Sequence, residues 1–125
     1  MREGDVLVID DDEDLGIVIE EVLGTEGYRV RRATSMRDGL LAVDDEEPSL
    51  VLLDWCLPDG DPDELARLLR DRGVPVVLTS GDDRAQERGV EIGAVAVLGK
   101  PFDLDELLEV LQRHVRAGDE RHVSP

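Results

Sequence analysis

Short, continuously apolar runs alternate along the chain with segments whose apolar positions recur at helical spacing. Residues 6–9 (VLVI) and 50–54 (LVLLD) read as strands buried on both faces, because every side chain but the last is apolar. Residues 74–80 (VPVVLTS) and 94–98 (AVAVL) read as two more strands, with Pro75 best placed at the start of its run. Residues 28–33 (YRVRRA) alternate loosely and suit an edge strand with one polar side. Between these lie the helical patterns. Apolar residues at 15, 18, 19, 22 and 23 predict a helix closed by the glycines of GTEG. Ser35 and Asp38 form a capping box for a short helix to about Val43, weakened by Gly39. Asp61 as N-cap, Pro62 in the first turn and Leu65, Leu68 and Leu69 predict a third helix. Residues 82–92 carry weaker helical spacing that stops at Gly93. Asp103 and Glu106 precede a last helix bearing Leu104, Leu107, Leu108, Leu111 and Val115.

Strand followed by helix, five times over, is the pattern of a parallel sheet covered on both faces. Right-handed crossovers fix much of such a topology but leave the strand order open. The 125 residues suit one domain, with no linker or internal repeat, and the segment beyond about Arg116 has little to hold it.

Charge changes this picture more than composition does. Asp and Glu total 31 against 14 Lys and Arg, a net charge of −17. Such a surface repels nucleic-acid backbone and anionic membrane and favours cations or basic partner patches. There is no apolar run of membrane-spanning length, and the acidic start lacks the features of a signal peptide. Cys56 is the sole cysteine, so no internal disulfide forms and a reducing, cytoplasmic location is expected.

The acidic residues are not evenly spread. The first apolar run ends in Asp10 and Asp11, the third in Asp54, the fourth in Thr79 and Ser80, and the fifth is followed by Gly99, Lys100 and Pro101. Open parallel sheets place their sites outside the carboxyl ends of the strands. Neighbouring strands would therefore gather three carboxylates, a hydroxyl and an ammonium. Packed carboxylates repel one another, and a hard divalent cation such as Mg2+, which needs only a few oxygen ligands, relieves this. A carboxylate oxygen can also serve as nucleophile toward phosphorus, and Asp54, alone after an apolar strand, suits that role. Taken singly, each residue has a plain structural reading: a solvated turn, a helix cap, a surface charge. Their joint placement at successive strand ends carries the argument.

These segments together resemble the receiver domain of bacterial response regulators. VLVIDDDED is similar to the family's first strand and acidic pair, LVLLDWCLPDGD to its acceptor segment, PVVLTSG to its fourth strand and GKPFDLDEL to its lysine segment. The resemblance covers roughly residues 5–116 and implies a flavodoxin-like (CheY-like) α/β three-layer sandwich with a five-stranded parallel sheet in the order 2-1-3-4-5. It implies a receiver domain over 1–116 and a disordered tail over 117–125. It implies that Asp54 accepts a phosphoryl group from a sensor histidine kinase or histidine phosphotransfer protein. Mg2+ would be held by Asp11, Asp54 and the backbone carbonyl of Cys56, with Asp10 acting through water. Ser80, Gly81 and Lys100 would contact the phosphoryl group, Ser80 and Val97 would form the switch, and Pro101 would follow a cis peptide bond. The family assists its own phosphorylation and dephosphorylation rather than acting as a conventional turnover enzyme. Its output passes to a target protein or a fused output domain, with no direct nucleic-acid or membrane contact.

Three departures stand out. Val97 occupies the usual position of a switch aromatic, Pro62 replaces a common glycine, and the stretch from Asp54 to Ser80 is short. A docking module of the same fold that is never phosphorylated is the alternative expectation. An aspartyl-nucleophile phosphatase fits less well, since Trp55 and Cys56 follow Asp54 and no cap insertion exists. A flavodoxin also fits poorly, with aromatics at 2%.

Overall fold

The apolar run Asp5–Ile9 forms β1 and sends alternate side chains to opposite faces of a sheet, which is why it needs no polar side. The computed structural model describes residues 4–115, so the expectation for 117–125 lies outside the described residues. From β1 the chain continues through α1 (Glu13–Thr25), β2 (Arg29–Ala33), α2 (Met36–Asp45), β3 (Leu50–Asp54) and α3 (Pro62–Asp71). It is completed by β4 (Val76–Ser80), α4 (Ala85–Ile92), β5 (Ala96–Gly99) and α5 (Leu104–His114). All strand pairs are parallel, in the order β2-β1-β3-β4-β5. This is the expected flavodoxin-like sandwich, with the polar β2 at an edge. Among the described residues, no helix is long and apolar enough to cross a membrane.

The alternation divides the core in two. Leu7, Ile9, Val51, Leu53, Val76 and Leu78 pack with Met36, Val43, Leu65, Leu69 and Ile92 from α2, α3 and α4. Val6, Val8, Leu50, Leu52, Val77 and Leu98 pack with Ile19, Leu23, Leu107 and Leu111 from α1 and α5. Helix starts follow the predicted caps: Ser35, Asp61 and Asp103 each accept a backbone N–H through their side chains. α4 is the exception. It starts later than expected, because Asp82 folds back to accept the Arg84 N–H at 2.8 Å, and its N-cap Arg84 offers no side-chain bond. β4 begins after Pro75, whose missing N–H is thereby kept outside the strand while its carbonyl accepts from Val51 at 3.0 Å.

Two glycines that weaken their helices by propensity are required by packing. A Cβ at Gly39 of α2 would sit 2.6 Å from Ile9 Cδ1, and one at Gly89 of α4 would overlap Val97 Cγ2. In an exposed helix, Gly to Ala gains about 1 kcal/mol. At Gly89 the overpacking cost of about 1–3 kcal/mol opposes it and wins, because Val97 is branched and held in β5. Gly89→Ala is thus expected to lower the urea midpoint, and adding Val97→Ala to restore most of the loss. A higher midpoint for the single variant would show that Val97 swings clear.

Candidate functional site

Four strand ends build the site. β1 hands over to Asp10, whose N–H still pairs with the Ala33 carbonyl at 3.0 Å, so the first carboxylate leaves a fixed backbone. The acidic run that follows divides its work. Asp10 turns inward and is only 6% exposed. Asp11 faces solvent at the rim. Asp12 caps α1 by accepting the Leu15 N–H at 3.1 Å. Glu13 and Asp14 occupy the first turn of α1, where the helix dipole favours negative charge.

Asp54 is the last residue of β3 and 4% exposed. The register places it opposite Thr79, while Ser80 at the end of β4 lies opposite Gly99 of β5. The ladder runs on past Asp54, since Trp55 N–H donates to the Thr79 carbonyl at 2.9 Å. Lys100 N–H donates to the Ser80 carbonyl at 2.8 Å, which fixes the base of the lysine. The Lys100–Pro101 peptide is cis.

Carboxylate oxygens of Asp10, Asp11 and Asp54 lie within 4.8 Å of one another. The Lys100 ammonium donates to Asp10 Oδ2 at 2.8 Å and stands 3.6 Å from Asp54 Oδ2. Asp54 Oδ1 accepts the Cys56 N–H at 3.1 Å, and Asp10 Oδ1 accepts the Asp12 N–H at 2.9 Å. The buried Ser80 hydroxyl oxygen accepts the Asp82 N–H at 3.0 Å. Gly81 is exposed, and an added Cβ there would meet nothing within 4 Å, so packing does not dictate its small size.

Burial pushes the Asp54 carboxyl above its ordinary range; the Cys56 N–H opposes this, Asp10 and Asp11 add to it, and Lys100 partly offsets it. Burial disfavours the Lys100 ammonium, but its hydrogen bond to Asp10 and the charges of Asp10 and Asp54 outweigh that, so its pKa is raised. One cation among three carboxylates leaves excess negative charge in a partly dry cleft. That donor set, all hard oxygen, fits Mg2+.

Asp10, Asp11, Asp54, Ser80, Gly81 and Lys100 thus lie at one end of the sheet, with Lys100 hydrogen-bonded to Asp10 and further from Asp54. Val97 lies three residues before Lys100, opposite Leu78 in the register, and packs under α4. Sequence reasoning missed Asp59. Its carboxylate, from the loop after β3, accepts the Met36 N–H at 2.9 Å and the Arg37 N–H at 3.3 Å, tying that loop to the start of α2. These backbone bonds hold the Asp59 carboxyl below its usual range. No local pattern signals a contact across such a sequence distance. A groove of about 370 Å³ opens beside the site, lined by Asp12, Leu15, Lys100, Pro101 and Phe102. A second groove, of about 400 Å³ and lined by Arg70, Pro75, Val95 and His114 among others, shares no residue with the carboxylate cluster.

Comparison with known proteins agrees with this geometry. The sequence model of the response regulator receiver domain matches residues 6–112. The transcriptional regulatory protein GltR of Pseudomonas aeruginosa is 34% identical over 117 residues, which are 89% of this chain and 48% of that protein. Sporulation initiation phosphotransferase F of Bacillus subtilis is 30% identical over 114 residues, 88% of this chain and 92% of that one. The solved structure of the non-phosphorylated HemR receiver domain of Leptospira biflexa superposes with a TM-score of 0.79 at 34% identity, covering 89% of this chain and 93% of that one. The chain spans about half of GltR and 25% of the regulator NtrC of Proteus hauseri. Fold, strand-end chemistry and relatives converge, and the chain belongs to the response regulator receiver domain family of bacterial two-component signalling, whose chemistry is phosphorylation of an aspartate.

Proposed function

We propose that Asp54 is the phosphoacceptor and that Asp10, Asp11 and Asp54 serve a single Mg2+. The observation that carries this reading is the convergence of three carboxylates within 4.8 Å beside the Lys100 ammonium. Asp11 and Asp54 would hold the cation directly, with the Cys56 carbonyl, and Asp10 through water. When bound, the cation supplies positive charge that offsets carboxylate repulsion and favours an incoming phosphoryl group.

The chain's own residues do the rest. An Asp54 carboxylate oxygen forms the new bond to phosphorus as the bond from phosphorus to the donor imidazole nitrogen breaks. β3 and the backbone bond from Trp55 to β4 hold that oxygen in place, so orientation is set before the donor arrives. Lys100, 3.6 Å from Asp54, is within a small side-chain movement of a phosphoryl oxygen. The open space over Gly81 suits the added group. The donor is a sensor histidine kinase or histidine phosphotransfer protein, and the groove between Leu15 and Phe102 gives a donor imidazole an approach beside the site.

The added charge and oxygens then act on Ser80. Its hydroxyl, bonded to the Asp82 N–H in this state, can turn to a phosphoryl oxygen and draw the loop before α4 inward. Val97 transmits this only by packing, since it has no ring to rotate. The output is a shifted protein-interaction surface, read by a target protein or by a fused output domain.

The test is intact mass after incubation with acetyl phosphate. One phosphoryl increment that requires Mg2+ is expected. No increment with any small donor, in folded protein, favours a docking module that works without phosphorylation. Released phosphate from varied monoesters, with turnover, points to a phosphatase.

A further inference from the structure

Trp55, the residue after Asp54, reaches across to α4. Trp55 sits half-buried against the core face covered by α2, α3 and α4. Its ring meets the Arg88 guanidinium of α4 at 5.3 Å from the ring centroid, within cation–π range. α4 has eight residues and no side-chain cap, while Asp12, Ser35, Asp61 and Asp103 cap the other four helices. Its interior Gly89 adds no side chain, and only Ala85, Gly89 and Ile92 are buried. A helix this short, with no side-chain cap at its start, is the one among the described helices that a single added contact can shift most easily.

We infer that the Trp55–Arg88 contact couples the state of Asp54 to the position of α4. The inference rests on Asp54 being the acceptor. A phosphoryl group on Asp54 changes charge and crowding one residue from the indole. The indole is a rigid body, and the Arg88 guanidinium of α4 lies over its ring. The alternative route, from Ser80 along β4 to Val97, ends in an aliphatic side chain that can transmit packing but no hydrogen bond. Coupling is reciprocal, so a change that frees α4 also alters the ease of phosphorylating Asp54. A partly exposed cation–π contact limits the effect to about two- to fivefold in equilibrium.

Arg88 also pairs with Glu91 of its own helix at 3.3 Å, which supplies a control. The experiment follows hydrogen exchange of the α4 amides and emission of Trp55, the chain's single tryptophan, with and without acetyl phosphate and Mg2+. Intact mass records the adduct in each sample. In the wild-type protein, phosphorylation is expected to change both signals. Arg88→Gln is expected to take up the adduct to the same extent at saturating donor while its α4 exchange response shrinks about twofold or more. Arg88→Lys, still a cation over the ring, keeps most of the response, and Glu91→Gln keeps all of it. A full response in Arg88→Gln overturns the coupling, as does an equal loss in Arg88→Gln and Glu91→Gln. No adduct on the wild-type protein overturns the acceptor reading and the coupling with it.

Discussion

Asp54→Asn is expected to abolish the phosphoryl adduct and, in metal-free buffer, to raise the free energy of unfolding by about 0.5–2 kcal/mol. Both effects have one cause. Asp54 is buried beside Asp10 and Asp11, with one shared ammonium for compensation. An amide keeps the shape and can still accept the Cys56 N–H, but it removes one of three like charges. It also removes the nucleophilic oxygen, so the chemistry is lost rather than slowed. Magnesium should reverse the order of stabilities. The wild-type protein gains RT ln(1 + [Mg2+]/Kd) from binding, and the variant, lacking one ligand, gains less. Urea denaturation of both proteins, with and without Mg2+, checks this. A destabilised, metal-free Asp54→Asn would mean that the Asp54–Lys100 attraction outweighs the carboxylate repulsion.

Arg31→Ala is expected to cost about 3 kcal/mol, the largest stability loss among surface-facing substitutions. Arg31 lies on the edge strand, yet its guanidinium is enclosed. It donates to Asp5 Oδ1 at 3.3 Å and Oδ2 at 3.0 Å, to the Ala42 carbonyl at 2.8 Å and to the Glu46 carbonyl at 2.7 Å. It thereby joins β1, β2 and the end of α2, and satisfies carbonyls that a helix leaves open. Removing it strands the Asp5 carboxylate, whose residue is 8% exposed. Its neighbours make an instructive contrast. Arg29 and Glu46 are each about half exposed in their pair, 51% and 51%, and Arg29→Ala should shift stability by less than about 1 kcal/mol. Thermal denaturation of the two variants separates them. A double variant lacking both Arg31 and Asp5 should recover part of the loss, because no uncompensated charge remains.

Much of the fold is legible in the sequence because its signals are local. The all-apolar β1 and β3 declare a sheet covered on both faces, and Ser35, Asp61 and Asp103 announce their helices within a few residues. Strand order was not legible from periodicity; right-handed crossovers permit several orders, and the resemblance supplied the one observed. The start of α4 was misplaced because Asp82 uses its side chain for a turn instead of a cap. Gly39 reads as a weakness in its helix, yet it marks where the helix backbone presses on Ile9, as Gly89 of α4 does on Val97. The site residues stood out through their positions at strand ends. What stayed hidden are the contacts that depend on tertiary placement: Asp59 on the start of α2, Arg88 over Trp55, and Arg31 inside three elements. The three arginines of the edge strand look alike in sequence, and only packing separates the enclosed Arg31 from the exposed Arg29.

The most direct test of the central claim is to trap the phosphorylated residue. Protein treated with acetyl phosphate and Mg2+ is reduced with borohydride, which converts an acyl phosphate to the alcohol, and the modified position is read by peptide mass spectrometry. Homoserine at position 54 alone, absent when Mg2+ is omitted, is the result expected. Modification at Asp10, Asp11 or another carboxylate, or a yield at Asp54 that is indifferent to Mg2+, would contradict it.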